Sequence, residues 1–175
     1  MSRALSREEW GEVQVRLLWL VLETVAYRSL GEDGLNFLKE FYFEAAKTWL
    51  NIMEKDYGIR AKKASTPKKA VKNYIDVGVA GWLFRGTSDF DVEEEDAKTL
   101  KIKVYRCPWT AHCIDMLENP LLFGRHQRKS GKDLLTCPRI GCFNAAVKIL
   151  AGKDSDYRLT IANPPKICEG EIRVP

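Results

Sequence analysis

At 175 residues, with 45% hydrophobic and 30% charged residues and a formal charge of +4, the chain has globular composition. It is long enough to bury one core, which excludes disordered and fibrous classes. Its longest apolar run, Leu17–Leu22, is bracketed by Arg16 and Glu23, far short of the roughly 20 residues a membrane span needs. Residues 1–6 lack the apolar core of a secretion signal. We therefore expect one domain over residues 1–175 that stays in the cytoplasm without touching a membrane, helical through residue 86 and a cysteine-bearing α+β half from 87 onward.

The charges are segregated. From Lys55 to Lys72 there are seven Lys/Arg against one acid, whereas Asp89–Asp96 carries six acids and no base. A nucleic-acid footprint needs basic residues interleaved with exposed aromatics. Only Tyr57 meets that need in the basic run, so the two runs are read as solvated faces and nucleic acid is not expected as a partner.

In chain order, Ser6 with Glu9 forms a capping box, in which each side chain satisfies the other residue's backbone N–H. The helix it opens runs to about Ser29, with Gly31 past its end. Trp10, Val13, Leu17, Leu18, Leu20, Val21 and Val25 nearly encircle it, the pattern of a central buried helix. In the second helix Leu35, Leu38, Tyr42, Ala45, Trp49 and Ile52 step by three and four, a stripe that packs on a neighbouring helix or on the partner in a homodimer. Gly58 ends that helix. Thr66-Pro67 supplies an N-cap and a first-turn proline for a third helix, about Pro67 to Trp82. Trp19, Phe41, Trp49, Tyr74 and Trp82 are assigned to the core of this helical half, with a ligand pocket as the competing use.

After Gly86 the period changes to two. Leu100, Ile102 and Val104 alternate with Lys101, Lys103 and Tyr105, the mark of a half-buried strand. The acidic Phe90–Glu95 segment is its hairpin partner, an edge strand guarded by charge. Short helices are expected around Thr110–Leu117 and Pro138–Leu150. A second hairpin, Tyr157–Ala162 with Ile167–Val174, turns at Asn163-Pro164-Pro165. The fold class is α+β: an N-terminal helical layer packed on a small antiparallel sheet, with two short helices inserted between the hairpins.

Every cysteine (Cys107, Cys113, Cys137, Cys142, Cys168) and both histidines (His112, His126) lie beyond residue 106. In a reducing compartment, thiol chemistry or metal binding competes with packing. Abundant Lys and Glu also fit a thermophile, where intracellular disulfides occur. Cys107-Pro108 ends a strand and Cys137-Pro138 opens a helix. A cysteine at a helix N-cap faces unpaired amides and the positive end of the dipole, which lowers its pKa. Cys168 shares a strand face with Gly170, Ile172 and Val174. Cys113 and Cys142, inside short helices, are assigned to packing. The spacings match no standard zinc module, yet Cys107, Cys137 and Cys168, with a histidine, could form a zinc or iron site across the fold. The Gly124–Lys132 segment lacks the order of a phosphate loop. Arg125 or His126 within it could meet a substrate carboxylate, with Trp109 as a further ligand contact.

The succession of features resembles the L-2-amino-thiazoline-4-carboxylic acid hydrolase-like family, related in plan to 4-vinyl reductase-type small-molecule-binding domains. The likeness runs from Glu23 to Trp49 around Leu30-Gly31-Glu32-Asp33-Gly34, through Lys103-Val104-Tyr105-Arg106-Cys107-Pro108 and Leu135-Thr136-Cys137, to Ile167-Cys168-Glu169-Gly170-Glu171. It implies that Cys107 and Cys137 are the family-pattern thiols. It departs at the closing strand, where Ile172-Arg173-Val174 stands in place of a cysteine after the Gly-Glu step. The resemblance implies a small-molecule-binding domain with a cysteine-centred site, a hydrolase acting on a cyclic amidine or amide-like substrate. In that reading Cys107 or Cys137 is nucleophile and His112 or His126 is proton donor or acceptor. A ligand sensor with a structural metal and a homodimerising module without chemistry are the competing classes.

Overall fold

The computed structural model describes residues 7–30, 33–107, 137–161, 163 and 166–175. Within them lie α1 (Arg7–Leu30), α2 (Asp33–Tyr57), α3 (Pro67–Ala80), a 3-10 turn (Thr87–Asp89), β1 (Phe90–Glu94), β2 (Thr99–Val104), α4 (Pro138–Ala151), β3 (Asp156–Ile161) and β4 (Cys168–Arg173). The chain is α+β. Ser6 and the Glu9 side chain, the Thr110–Leu117 helix, and Pro164 and Pro165 of the expected turn lie outside the described residues.

Local chemistry explains most boundaries. The Lys69 amide donates to the Thr66 hydroxyl, 3.2 Å away, and Pro67 fills the first turn, where its missing N–H costs nothing. Gly58, at φ +69°, takes the left-handed conformation that stops α2. Past α3, Trp82 occupies a left-handed position (φ 61°) while the amides of Leu83 and Phe84 donate to the Gly78 carbonyl. Trp82 is 94% exposed, so its assignment to the core is corrected: the left-handed turn throws its side chain into solvent. Phe41 is exposed at 36%, whereas Tyr74 is buried.

The sheet has order β1-β2-β4-β3 and is antiparallel throughout. The two expected hairpins are joined by β2–β4 pairing, with Ile102 opposite Gly170 and Val104 opposite Cys168. One face carries Val92, Leu100, Ile102, Leu159 and Ile172, all buried. The other carries Lys101, Glu171 and Arg158; Arg158 sits 2.8 Å from Glu171. Charged β1 is an edge, as its sequence implied.

α4 lies on the apolar face over β3 and β4, and α3 beside it reaches β1; α2 covers α4, and α1 covers α2. Two glycines permit the close approaches. A Cβ on Gly170 would stand 2.9 Å from Ile140 Cγ1, and one on Gly141 would stand 2.6 Å from Tyr42 Cδ2. So α4 is buried on nearly every side. The α2 stripe meets neighbouring helices of the same chain: Leu38 and Tyr42 are 0% exposed, which leaves the centre of the stripe covered before any partner arrives. α1, expected to be central, is instead outermost. Ala26 and Glu23 are buried, the latter accepting a 2.7 Å hydrogen bond from Tyr42 Oη, but Leu17, Leu18, Val21 and Val25 are more than half exposed.

Candidate thiol site at the head of the central helix

Three elements bring cysteines to one end of the sheet. β2 ends at Val104. Past it, the Tyr105 amide donates to the Asp89 carbonyl, Tyr105 Oη donates to Asp91, and Arg106 lies 4.0 Å from the buried Asp89 carboxylate. This tether of backbone and side chains to the 3-10 turn and β1 delivers Cys107, half-buried against the core. Cys168 opens β4 directly across from Val104. Cys137 is the N-cap of α4, in extended conformation, with Pro138 next and its carbonyl accepting from the Gly141 amide.

Electrostatics ties the three together. Burial pushes the Cys137 thiol up to about 12, and the neighbouring Cys107 and Cys168 push the same way; the amides of Ile140 and Arg139 pull against them without prevailing. The expectation of a lowered pKa at this N-cap is therefore corrected. Desolvation of a thiolate outweighs the amides and dipole of the helix end. Cys168 is raised by burial, with Cys107 adding to it. Cys142 is raised by burial to about 11, against the pull of Arg139 and a Tyr74 hydrogen bond. Its thiol points to the Tyr42 carbonyl at 3.8 Å, which fits the packing role assigned to it.

Of the residues singled out in the sequence, Cys107, Cys137 and Cys168 are thus neighbours. His112, His126, Arg125, Trp109 and Cys113 lie outside the described residues, in the span that Cys107 and Cys137 bracket. Thiolates are the ligands zinc and iron favour. Among the described residues, however, no group of three His, Cys, Asp or Glu side chains is placed to hold an ion, so these residues do not by themselves fit a metal.

Sequence reasoning passed over Arg139. It is completely buried, its guanidinium 4.1 Å from the Phe84 ring centre and within 6 Å of those of Phe90 and Phe143. These rings pack edge-to-face with one another and with Tyr74, an arrangement suited both to the cation and to aromatic quadrupoles. The available signal was that α4 is apolar all round, leaving a first-turn arginine no solvent to face. Elsewhere a cleft of about 320 Å³ between α2 and α4 is lined by Asn36, Lys39, Phe43, Asn144 and Asp156 among others, with Lys39 and Asp156 paired at 2.7 Å. Asp156 sits opposite Arg173, so this cleft lies at the far end of the sheet from Cys168.

No helix among the described residues is long and apolar enough to cross a membrane. No protein-family model matches the chain, and no curated protein does.

Proposed function

We propose that the chain is a small-molecule-binding domain whose site is centred on Cys107, Cys137 and Cys168, and that it hydrolyses a C–N bond of a small cyclic amidine or amide-like substrate. The convergence of three thiols from the end of β2, the head of α4 and the start of β4 is the observation that supports this reading. The likeness to the thiazoline-carboxylate hydrolase-like family supplies the reaction class, and fold likeness alone would not carry it.

Within that reading the thiols divide. Cys137, buried and held protonated to about pH 12, is a poor nucleophile, since the thiolate is the reactive form. Cys107, half-buried, is the nucleophile. Its sulfur bonds to the amidine carbon, the C–N bond breaks, and the departing nitrogen takes a proton. Water then displaces the sulfur, so that the net change is the addition of one water. His112 or His126 is the proton carrier.

The test uses 2-amino-thiazoline-4-carboxylate as probe, with mass spectrometry reading the gain of one water. Wild type is expected to turn it over, Cys107→Ser to lose turnover, and iodoacetamide to modify Cys107 ahead of Cys137. Turnover retained in Cys107→Ser, or no turnover and no binding by the wild type, would sink the proposal.

A further inference from the structure

α1 carries apolar residues on two opposite sides, and α2 is its neighbour on one. The inner side buries Ala26 and Glu23. The outer side exposes Val13 (40%), Leu17 (52%), Val21 (51%) and Val25 (53%), with Leu18 (66%) beside them. Residues four apart line one helix face, so these side chains form a continuous stripe. Gln14 and Thr24 lie beside it, and the exposed Arg28, one turn past Val25, closes its C-terminal end. A contiguous exposed apolar patch of this kind marks an interaction surface.

Independently of the cysteine site, we propose that this face pairs with the same face of a second copy of the chain, α1 against α1, antiparallel about a twofold axis near residue 19. The two α2 helices then complete a four-helix bundle. The stripe is self-complementary about that axis: Val13 faces Val25 and Leu17 faces Val21, so each contact occurs twice, as an isologous interface requires. A 24-residue helix is about 36 Å long. Pairing its outer face buries on the order of 600 Å² per protomer, at the lower end of stable interfaces.

Sedimentation velocity of the full chain across about 1–100 µM, the weak end for interfaces of this size, tests the pairing. Wild type is expected to dimerise in that range. Leu17→Glu and Val21→Lys are each expected to weaken the dimer at least ~100-fold, because an unpaired charge is buried. An equimolar mixture of the two variants restores a dimer, since the introduced carboxylate of one chain meets the introduced ammonium of the other; chains that had merely lost their fold would not do this. A wild type that stays monomeric throughout, variants that dimerise as well as wild type, or a mixture that fails to pair each overturns the proposal.

Discussion

Replacing Gly141 by alanine puts a methyl group into the crossing of α2 and α4. The new carbon would stand 2.6 Å from Tyr42 Cδ2, 3.1 Å from Tyr42 Cβ and 2.9 Å from the Tyr157 hydroxyl. Tyr42 has little room to yield, being 0% exposed and tied through its hydroxyl to Glu23 at 2.7 Å. Overpacking of this kind costs about 1–3 kcal/mol, and the contact with a tethered ring argues for the upper half of that range. Against it, alanine improves helix propensity by about 1 kcal/mol. The net expectation is a loss of about 1–2 kcal/mol, or ~2–8 °C in Tm for a domain of this size. The same substitution at Gly11 of α1, where a Cβ would meet nothing within 4 Å, keeps only the propensity gain and should stabilise by up to ~1 kcal/mol. Urea unfolding followed by circular dichroism, run on wild type, Gly141→Ala and Gly11→Ala, reads both signs. Gly141→Ala at or above wild-type stability would refute the proposed close approach of the two helices.

Two further outcomes follow from burial and backbone. Cys137 and Cys142 keep their protons to about 12 and about 11 in the folded chain, whereas unfolded thiols titrate near ~8.5. The folded pKa values are raised, so this stability is complete below pH ~8.5 and drains away as pH climbs toward 11–12, by about 2 kcal/mol per thiol at pH ~10. Cys142→Ala should start weaker at neutral pH yet lose less between pH ~8.5 and ~10; equal losses in urea midpoints would contradict it. Trp82 holds a left-handed φ of 61° while 94% exposed, a conformation that costs a bulky residue roughly 1–2 kcal/mol. Trp82→Gly returns part of that as unfolded-chain entropy and is expected to raise stability by ~0.5–1 kcal/mol in thermal denaturation, with an unchanged or lower Tm counting against it.

The elements that announced themselves in the sequence did so through short-range chemistry. Thr66-Pro67 caps α3, Gly58 turns left-handed, and Leu100, Ile102 and Val104 alternate because a strand shows one face to the core. These signals depend on neighbours a few residues away. Questions of who lies beside whom were not legible in the same way. The periodicity of α1 says that its apolar side chains surround it, not how many neighbours it has; within the chain α2 covers one side. A cysteine at a helix start reads as a lowered pKa, and the depth of Cys137, with Cys107 and Cys168 adding to it, reverses the sign. Arg139 looks like a surface cation until its place in a helix enclosed on nearly every side is known. At the site, the pairing of Val104 with Cys168 is what brings residues 107 and 168 together, and no local pattern encodes that pairing.

The central position of α4 also shapes how the chain must be made. A ribosome delivers residues 7–107 first: α1 can pack on α2 and α3 on β1, but the faces that α4 covers stay open. Tyr42, Val71 and Ile102, all at 0% exposure in the finished molecule, wait for a helix that begins at Pro138. β2 waits longer for its second neighbour, because its partner β4 reaches Arg173. Non-local pairing of this order slows folding and leaves uncovered apolar surface during synthesis. A stop before Cys168 leaves β2 without its second neighbour and its edge unpaired.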